Sequence, residues 1–231
     1  MNIKRITNRM LMDSFTKKLF DSNLVFANSL EELNCKERII TVQATKYLKD
    51  NPIKGNFDYQ HLKDIHKYLF QEVYSFAGKD RFEMGIYDSF GKRNAARDKV
   101  VWFADGIEVP LEAEKLFNML KEKNNLKGLN FLQFTKEGAD FFIKLNTLHP
   151  FREGNGRTQR IFMEQLALNA GYKLDLETKI DKQEMINACE DGMLGKNVGM
   201  IALFIKNLKP LENNLENKKI LMEKNIGKER V

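Results

Sequence analysis

The chain has 231 residues, of which 42% are apolar, and is long enough for one substantial domain or for a domain with an extension. Its 38 basic and 32 acidic residues give a formal charge of +6. Both signs are spread along the chain, without an arginine-rich arm or a base-reading motif, so the composition argues against a nucleic-acid-binding protein. An anionic ligand is the simpler explanation of the mild basic excess.

Targeting segments and cysteines bear on the compartment. No run of residues approaches the roughly 18 apolar positions that a membrane span needs, and no apolar stretch follows the basic first six residues. Cys35 and Cys189 lie far apart without metal-ligand spacing, as expected of reduced packing residues. We therefore predict a cytoplasmic protein without a membrane partner. Secretion into a host by a route that leaves no cleavable signal stays open.

Helical signals fill the first third of the chain. Residues 1–28 predict a short helix, and Ser29 with Glu32 form a capping box that opens a helix to about Leu48. From Asp58 onward, apolar residues at helical spacing predict a helix that continues to Phe76; they are Leu62, Ile65, Leu69, Phe70, Val73 and Phe76. His61 and His66 fall on this helix. We interpret both as structural, because no carboxylate or cysteine cluster accompanies them.

Residues 79–104 lose the helical spacing. They contain two glycines, scattered aromatic residues and the basic pair Lys92-Arg93. This pattern predicts a β-hairpin or a long flap, and an ordinary surface hairpin is the plain alternative.

The rest of the chain is again helical in pattern. We predict a helix after Pro110, a second from Phe131 to Leu148, and a third from about Gly154 to Ala170. Asp181 caps a further helix, and residues 200–208 form the last one before a charged, marginally helical tail. The prediction is therefore a mainly α fold with one small hairpin. It divides into a helical extension (1–54), one domain (55–208) and a tail (209–231).

The stretch from His149 to Arg160 concentrates chemistry, and it reads HPFREGNGRTQR. A Gly-Asn-Gly turn lets the backbone approach a ligand closely, and the first amides of the following helix favour an anion. Arg157 and Arg160 lie three apart, so both can reach a phosphate from one side of the helix. Glu153 beside a phosphate implies a cation between them, normally Mg²⁺. His149 could accept a proton from an incoming hydroxyl. The residues propose metal-assisted chemistry on a nucleotide polyphosphate, and a structural loop is the alternative.

This stretch resembles the signature of the Fic family, His-x-Phe-x-(Asp/Glu)-Gly-Asn-Gly-Arg-x-x-Arg, with every fixed position filled. The resemblance covers residues 55–208 and implies a Fic-type helical bundle that transfers AMP from ATP to a Tyr, Thr or Ser hydroxyl of a protein. It implies His149 as the general base and Glu153 as the Mg²⁺ ligand. The remaining positions would bind ATP: Gly154, Asn155 and Gly156 as an anion nest, Arg157 and Arg160 on the phosphates, and Phe151 packed inward to hold the loop.

Family variation leaves the reaction open. Related kinases carry Lys in place of the second glycine, so Gly156 favours AMP transfer over phosphate transfer. Phosphate transfer and AMP removal remain alternatives within the fold, and a non-enzymatic nucleic-acid-binding module is the alternative outside it. The resemblance also implies that a target protein docks on the flap, where Tyr87-Asp88 replaces the common Lys-Gly tip.

The resemblance also implies restraint, because Fic enzymes are commonly held off by a glutamate that pairs with the second arginine of the signature. This chain contains no full inhibitory motif; the nearest is around Glu216, with Glu where Ser or Thr belongs. A toxin held off by Glu216, or by a small antitoxin that supplies the glutamate, is therefore an expectation. The alternative for Glu216, which the Lys, Asn and Glu content of the tail favours, is a solvated tail without an inhibitory role.

Overall fold

Eight α-helices make up most of the chain that this computed structural model describes, residues 14–177 and 180–211. Their bounds are α1 Ser14–Asp21, α2 Leu30–Asp50, α3 Tyr59–Phe70, α4 Val109–Glu122, α5 Phe131–Leu148, α6 Asn155–Asn169, α7 Lys182–Met193 and α8 Val198–Asn207. Short 3₁₀ turns at Gly106–Glu108 and Asn124–Leu126 flank α4. The mainly α prediction is confirmed. The predicted tail from residue 212 onward, including Glu216, lies outside the described residues, as do residues 1–13.

Two small antiparallel strand pairs accompany the helices. The first is the predicted hairpin, β1 Gly91–Asn94 with β2 Lys99–Trp102, paired from Gly91↔Trp102 to Asn94↔Lys99. The second, β3 Tyr172–Leu174 with β4 Leu208–Pro210, was not predicted. It forms because α8 ends at Asn207 and the chain then extends alongside the segment that follows α6. Strands of three residues are too short to show an alternating pattern.

The predicted helix to Phe76 was too long. α3 ends at Phe70, and the following turns pair with the segment after α1: Leu24 N donates to Val73 O at 2.9 Å, and Ser75 N donates to Ser22 O at 2.9 Å. Val73 and Phe76 are nevertheless buried. Turns that bury apolar side chains at helix-like intervals therefore imitate a longer helix.

Capping chemistry sets several helix starts. Ser29 accepts from Glu32 N at 3.1 Å, but the Glu32 carboxylate accepts from Asn28 N and not from Ser29 N, so the predicted box is not reciprocal. A full capping box occurs at α5 instead, between Asn130 and Gln133. Asp181 caps α7 as predicted, accepting from Gln183 N and Glu184 N.

α6 lies at the centre of the molecule. It packs against α3, α5 and β3, and its inner face is buried, at Ile161, Phe162, Met163, Leu166 and Ala167. The extension shares this core through Leu33 and Leu48 of α2, both of which are almost completely buried. α2 therefore reaches the same helix that begins at the predicted functional motif.

The two cysteines differ in their surroundings. Cys189 packs against the core, but Cys35 is exposed on α2, so its prediction as a packing residue was wrong.

The sequence analysis predicted no membrane span, and the helices of the structure can be compared with that prediction. Within the described ranges, no helix combines the length and the apolar character needed to cross a membrane.

Candidate active site

His149 stands where α5 ends. Its backbone is left-handed (φ 44°), and its N–H closes the helix by donating to Leu145 O at 3.1 Å. Its Nδ1 lies 3.3 Å from the carbonyl oxygen of Asn146, which can only accept, so Nδ1 carries the proton. The lone pair is therefore on Nε2, which is buried and has no hydrogen-bond partner among the described residues.

The surroundings of His149 keep the ring neutral. Phe103 stacks on it at 3.7 Å between centroids, and Phe90 meets it edge-on at 5.5 Å. Burial lowers the pKa of His149 well below its ordinary value, and the charges of Lys92 and Arg81 lower it further. A neutral imidazole with a free Nε2 is in the form required to accept a proton at neutral pH.

Arg81 holds this strained corner, a role that the sequence analysis missed. Its buried guanidinium donates to four main-chain carbonyls, at His149 (3.0 Å), Leu148 (3.1 Å), Ala104 (2.6 Å) and Asp88 (3.2 Å). Its own N–H donates to Pro150 O at 2.8 Å. The last carbonyls of a helix lack intrahelical partners, and a cation satisfies them at the negative end of the dipole. A lone arginine after Gly78 has no spacing that would mark this role in a sequence.

The loop between α5 and α6 is held by buried side chains on its inner side. Asn155 uses its whole side chain on Phe151: Oδ1 accepts from Phe151 N at 2.8 Å and Nδ2 donates to Phe151 O at 2.6 Å. Phe151 is fully buried and stacks on His66 at 3.8 Å. Neither side chain is free to contact a nucleotide, so both serve the shape of the loop.

His66 is structural, in agreement with the sequence interpretation. Gly78 N donates to its Nδ1 at 2.9 Å, and Nε2 lies 3.1 Å from the carbonyl oxygen of Glu153, to which it donates. Burial lowers the pKa of His66 to about 3. A neutral His66 thus ties α3 to the loop, 87 residues away in sequence.

The turn at Gly154 requires glycine for two reasons. Its φ is 81°, and a Cβ there would lie 2.3 Å from the Phe70 ring. The first intrahelical bond of α6 joins Thr158 N to Gly154 O at 3.1 Å. The amides of residues 155–157 precede that bond and therefore have no acceptor within the helix. Together with the dipole, they make this end of α6 suitable for an anion.

Glu153 is an ionised carboxylate at the same turn. Burial on its own would raise the pKa of Glu153, but Lys92, the Gly154 N–H (2.9 Å from Oε1), Arg157 and Arg152 together hold it below the ordinary value. Among the described residues, no group of three or more His, Cys, Asp or Glu side chains converges on a metal-sized site. One carboxylate beside an anion site suits Mg²⁺, which takes its other oxygens from phosphates and water, and does not suit zinc.

The two arginines of the motif are both engaged with carboxylates. Arg157 lies against α2, where Glu37 accepts from Nη2 at 2.5 Å and Thr41 Oγ1 accepts from Nη1 at 2.9 Å. Arg160 Nε donates to Glu177, in the loop after β3. The assignment of both arginines to phosphates stays a prediction. Neither Glu37 nor Glu177 was expected, because a partner more than 100 residues away, or across a loop, leaves no local pattern.

The flap differs in detail from its prediction. Its tip is the turn between β1 and β2, where Arg97 N donates to Asn94 O at 3.2 Å. Tyr87-Asp88 lies at the base and not at the tip: the two carbonyls accept from Ile107 N and Gly106 N at 2.9 Å and 3.3 Å. Lys92 of β1 acts electrostatically on both His149 and Glu153.

A buried neutral histidine, one ionised carboxylate and a helix start suited to an anion are the features expected of a phosphate-handling active site on a helical bundle. The Fic/DOC family model matches residues 56–167. The probable protein adenylyltransferase y4lH of Sinorhizobium fredii is 32% identical over 72% of this chain and 78% of its own length. The protein adenylyltransferase VbhT of Bartonella schoenbuchensis is 37% identical over 68% of this chain, which spans only 30% of that relative.

Solved structures agree with the sequence relatives. The N-terminal Fic domain of a Bartonella quintana effector protein with bound ADP superposes with a TM-score of 0.74 at 32% identity, covering 84% of this chain and 92% of that one. The BepC protein of Bartonella tribocorum with bound AMPPNP gives 0.71 at 31%, covering 80% and 90%. The chain belongs to the Fic/DOC family.

Proposed function

We propose that this protein transfers AMP from ATP to the hydroxyl of a Tyr, Thr or Ser side chain in a target protein. The observation that carries the proposal is the unpartnered Nε2 of a neutral His149, close in sequence to an anion-binding turn. The names of the relatives, and the ADP and AMPPNP bound to two related structures, support the same reaction.

The proposed reaction requires one proton transfer, to His149. Nε2 takes the proton of the target hydroxyl as its oxygen bonds to the α-phosphorus of ATP. The bond between the α-phosphorus and the bridging oxygen breaks, and pyrophosphate leaves. Asn146 O, by accepting from Nδ1–H, keeps the free lone pair on Nε2 and helps the ring to carry the new charge. A base in this role contributes about 10² to 10⁴-fold.

The remaining residues bind the polyphosphate. The amides of residues 155–157 and the α6 dipole hold phosphate oxygens. Arg160 turns from Glu177 to the phosphates. Glu153 would hold Mg²⁺, which would offset the negative charge of the phosphates. On the family resemblance, Gly156 favours AMP transfer over the phosphate transfer of members that carry Lys at this position.

Labelled nucleotide tests the reaction. Incubation with a cell lysate and ATP labelled at the α-phosphate should give labelled protein bands that the lysate alone does not give. ATP labelled at the γ-phosphate should add no bands to those of the lysate alone. His149→Ala should lose the labelling by at least about 10²-fold while binding Mg-AMPPNP as the parent does. γ-Label on protein would indicate a kinase, and loss of AMP from pre-labelled protein would indicate removal.

The phosphate site has its own test. Glu153→Ala should lose both activity and the Mg²⁺ dependence of ATP binding, and Arg160→Ala should weaken ATP binding because the phosphates lose a paired charge. ATP affinities unchanged in both variants would place the nucleotide elsewhere. Tight binding of nucleic acid with a steep salt dependence would then favour the non-enzymatic alternative.

The target protein is proposed to dock on the flap, residues 79–104. Val100 and Trp102 of β2 are more than half exposed, and a two-stranded hairpin offers an edge to which an extended segment can add. Restraint by Glu216 or by a separate antitoxin, and a toxin role, are proposed on the resemblance. A cytoplasmic location is proposed on the cysteine content and the targeting signals of the sequence. Glu216→Gly should speed self-modification if Glu216 is the brake, and should change nothing if a partner supplies the glutamate.

A further inference from the structure

Glu37 on α2 lies 19 residues before the part of the chain that the family model matches. It is buried, with 7% of its surface exposed, and both of its oxygens are occupied. Oε1 accepts from Arg157, and Oε2 accepts from the hydroxyl of Tyr74. A buried carboxylate whose two oxygens each accept a hydrogen bond is held in one position, unlike a mobile surface charge.

Arg157 is in turn held from three sides. Besides Glu37, it donates to Thr41 Oγ1, one turn further along α2, and its guanidinium carbon lies 4.8 Å from the centre of the Phe70 ring. Phe70 is the residue that packs on Gly154. The side chain of Arg157 therefore lies against α2 and against the Phe70 ring that packs on Gly154.

A second carboxylate competes for the same guanidinium. Arg157 Nη2 is 4.0 Å from Glu153 Oε1, against 2.5 Å from Glu37 Oε1. Glu153 is about a third exposed at its side chain, whereas Glu37 is nearly enclosed. Opposite charges attract more strongly where water is excluded, so Glu37 has the stronger hold on the arginine.

We propose that Glu37 is a positioning residue that keeps Arg157 from closing a full ion pair with Glu153, and so leaves the Glu153 carboxylate available to a divalent cation. The inference rests on the proposed function, because it assigns Glu153 to the cation that accompanies the nucleotide. It also makes α2, which lies outside the matched family segment, part of the active site.

The test measures AMPPNP binding by calorimetry at a series of Mg²⁺ concentrations. Glu37→Gln keeps the size and the contact with Tyr74 but removes the charge. It should raise the Mg²⁺ concentration needed for half-maximal binding at least about fivefold, because Arg157 would then close a partly exposed ion pair with Glu153 that the cation has to break. Glu32→Gln, which removes an exposed charge from the same helix, is the matched control and should leave the requirement unchanged.

Removal of the competitor gives the sharper result. In Glu37→Gln/Arg157→Gln, no guanidinium remains to occupy Glu153, so the Mg²⁺ requirement should return toward that of the parent. A merely structural Glu37 would give a double variant at least as impaired as the single one. Thr41→Val, a milder change, should shift the requirement in the same direction by about twofold, and it decides the question if Glu37→Gln does not fold.

The two failures are distinct. An unchanged Mg²⁺ requirement in Glu37→Gln, or no recovery in the double variant, overturns the role of Glu37 while leaving AMP transfer intact. If Glu37→Gln changes the Mg²⁺ requirement as expected but the parent protein transfers no AMP, the proposed function is overturned and the role of Glu37 stands.

Discussion

The motif and the flap are both needed for the proposed reaction, but they are built in opposite ways. In the motif, His149, Phe151 and Asn155 are buried, and each is held by contacts to other elements or within the loop. In the flap, β2 presents Val100 and Trp102 to solvent. Chemistry on a fixed phosphate needs preorganised groups. A surface for a protein target needs exposed main chain and apolar side chains.

The flap is nevertheless fixed at both of its ends, to the motif at its base and to α7 at its tip. At the base, Arg81 binds the carbonyls of Asp88 and Ala104 together with that of His149. At the tip, Asn94 bonds to Glu190 and Asn187 of α7, and Arg97 forms a two-bond pair with Asp191. A target strand that pairs with β2 is therefore held in a fixed position relative to the proposed general base, His149.

Arg81→Met should have the largest effect on this comparison, because it removes the connection at the base. Four main-chain carbonyls lose their donor, and those of Leu148 and His149 are buried. The left-handed corner at His149 also loses its support. We expect a loss of about 3 kcal/mol or more in the free energy of unfolding, measured by chemical denaturation. Lys79→Met, an exposed position nearby, is the control. A loss below about 1 kcal/mol would mean that Arg81 is not what holds the corner.

His66 provides a pH-dependent test of the buried side. Its folded pKa, about 3, lies below the unfolded value of 6.5, so the unfolded chain binds an extra proton between these values. Its contribution to stability is therefore complete above pH 6.5 and is lost as pH falls toward 3.

His66→Gln should reduce the pH slope of unfolding free energy in this window by about 1.4 kcal/mol per pH unit. Glu164, whose pKa burial raises to about 7, contributes with the opposite sign in both proteins and cancels from the difference. Parallel stability–pH curves for the two proteins would show that His66 is not neutral in the fold.

Glu177→Gln should sharpen the contrast between the two arginines. Arg160 and Glu177 both keep about a fifth to a quarter of their side-chain surface exposed, so their pair is weaker than that of Arg157 with buried Glu37. Removal of the competing charge should tighten ATP binding by about threefold, measured by calorimetry. Weaker binding in the variant would mean that Glu177 supports the nucleotide site instead of competing for it.

Arg97→Ala should have the smallest effect, confined to the flap. It breaks the pair with Asp191, in which both side chains are about a third exposed, so the cost in stability should be small. It should speed amide hydrogen exchange in β1 and β2 while leaving ATP binding unchanged. Arg93→Ala, which removes the more exposed pair with Asp98, is the control and should leave exchange near that of the parent. Equal exchange rates in both variants would show that the tip is not anchored through α7.

The sequence alone determined the fold class, most helix ends and the identity of the motif. Helical periodicity and capping are local, so α5 could be placed from Phe131 to Leu148 and the start of α6 near Gly154. The glycines and titratable residues of the motif are contiguous, so their chemistry follows from the order of residues in the chain.

Only the tertiary structure decided what holds those residues. Arg81, His66, Glu37 and Glu177 meet the motif through contacts that span 17 to 120 residues. Such pairings depend on how the helices pack and leave no periodic trace in the chain. For the same reason, the structure ended α3 at Phe70 and moved Tyr87-Asp88 to the base of the flap: each segment bonds its main chain to a distant part of the molecule, and that competition is invisible to local spacing.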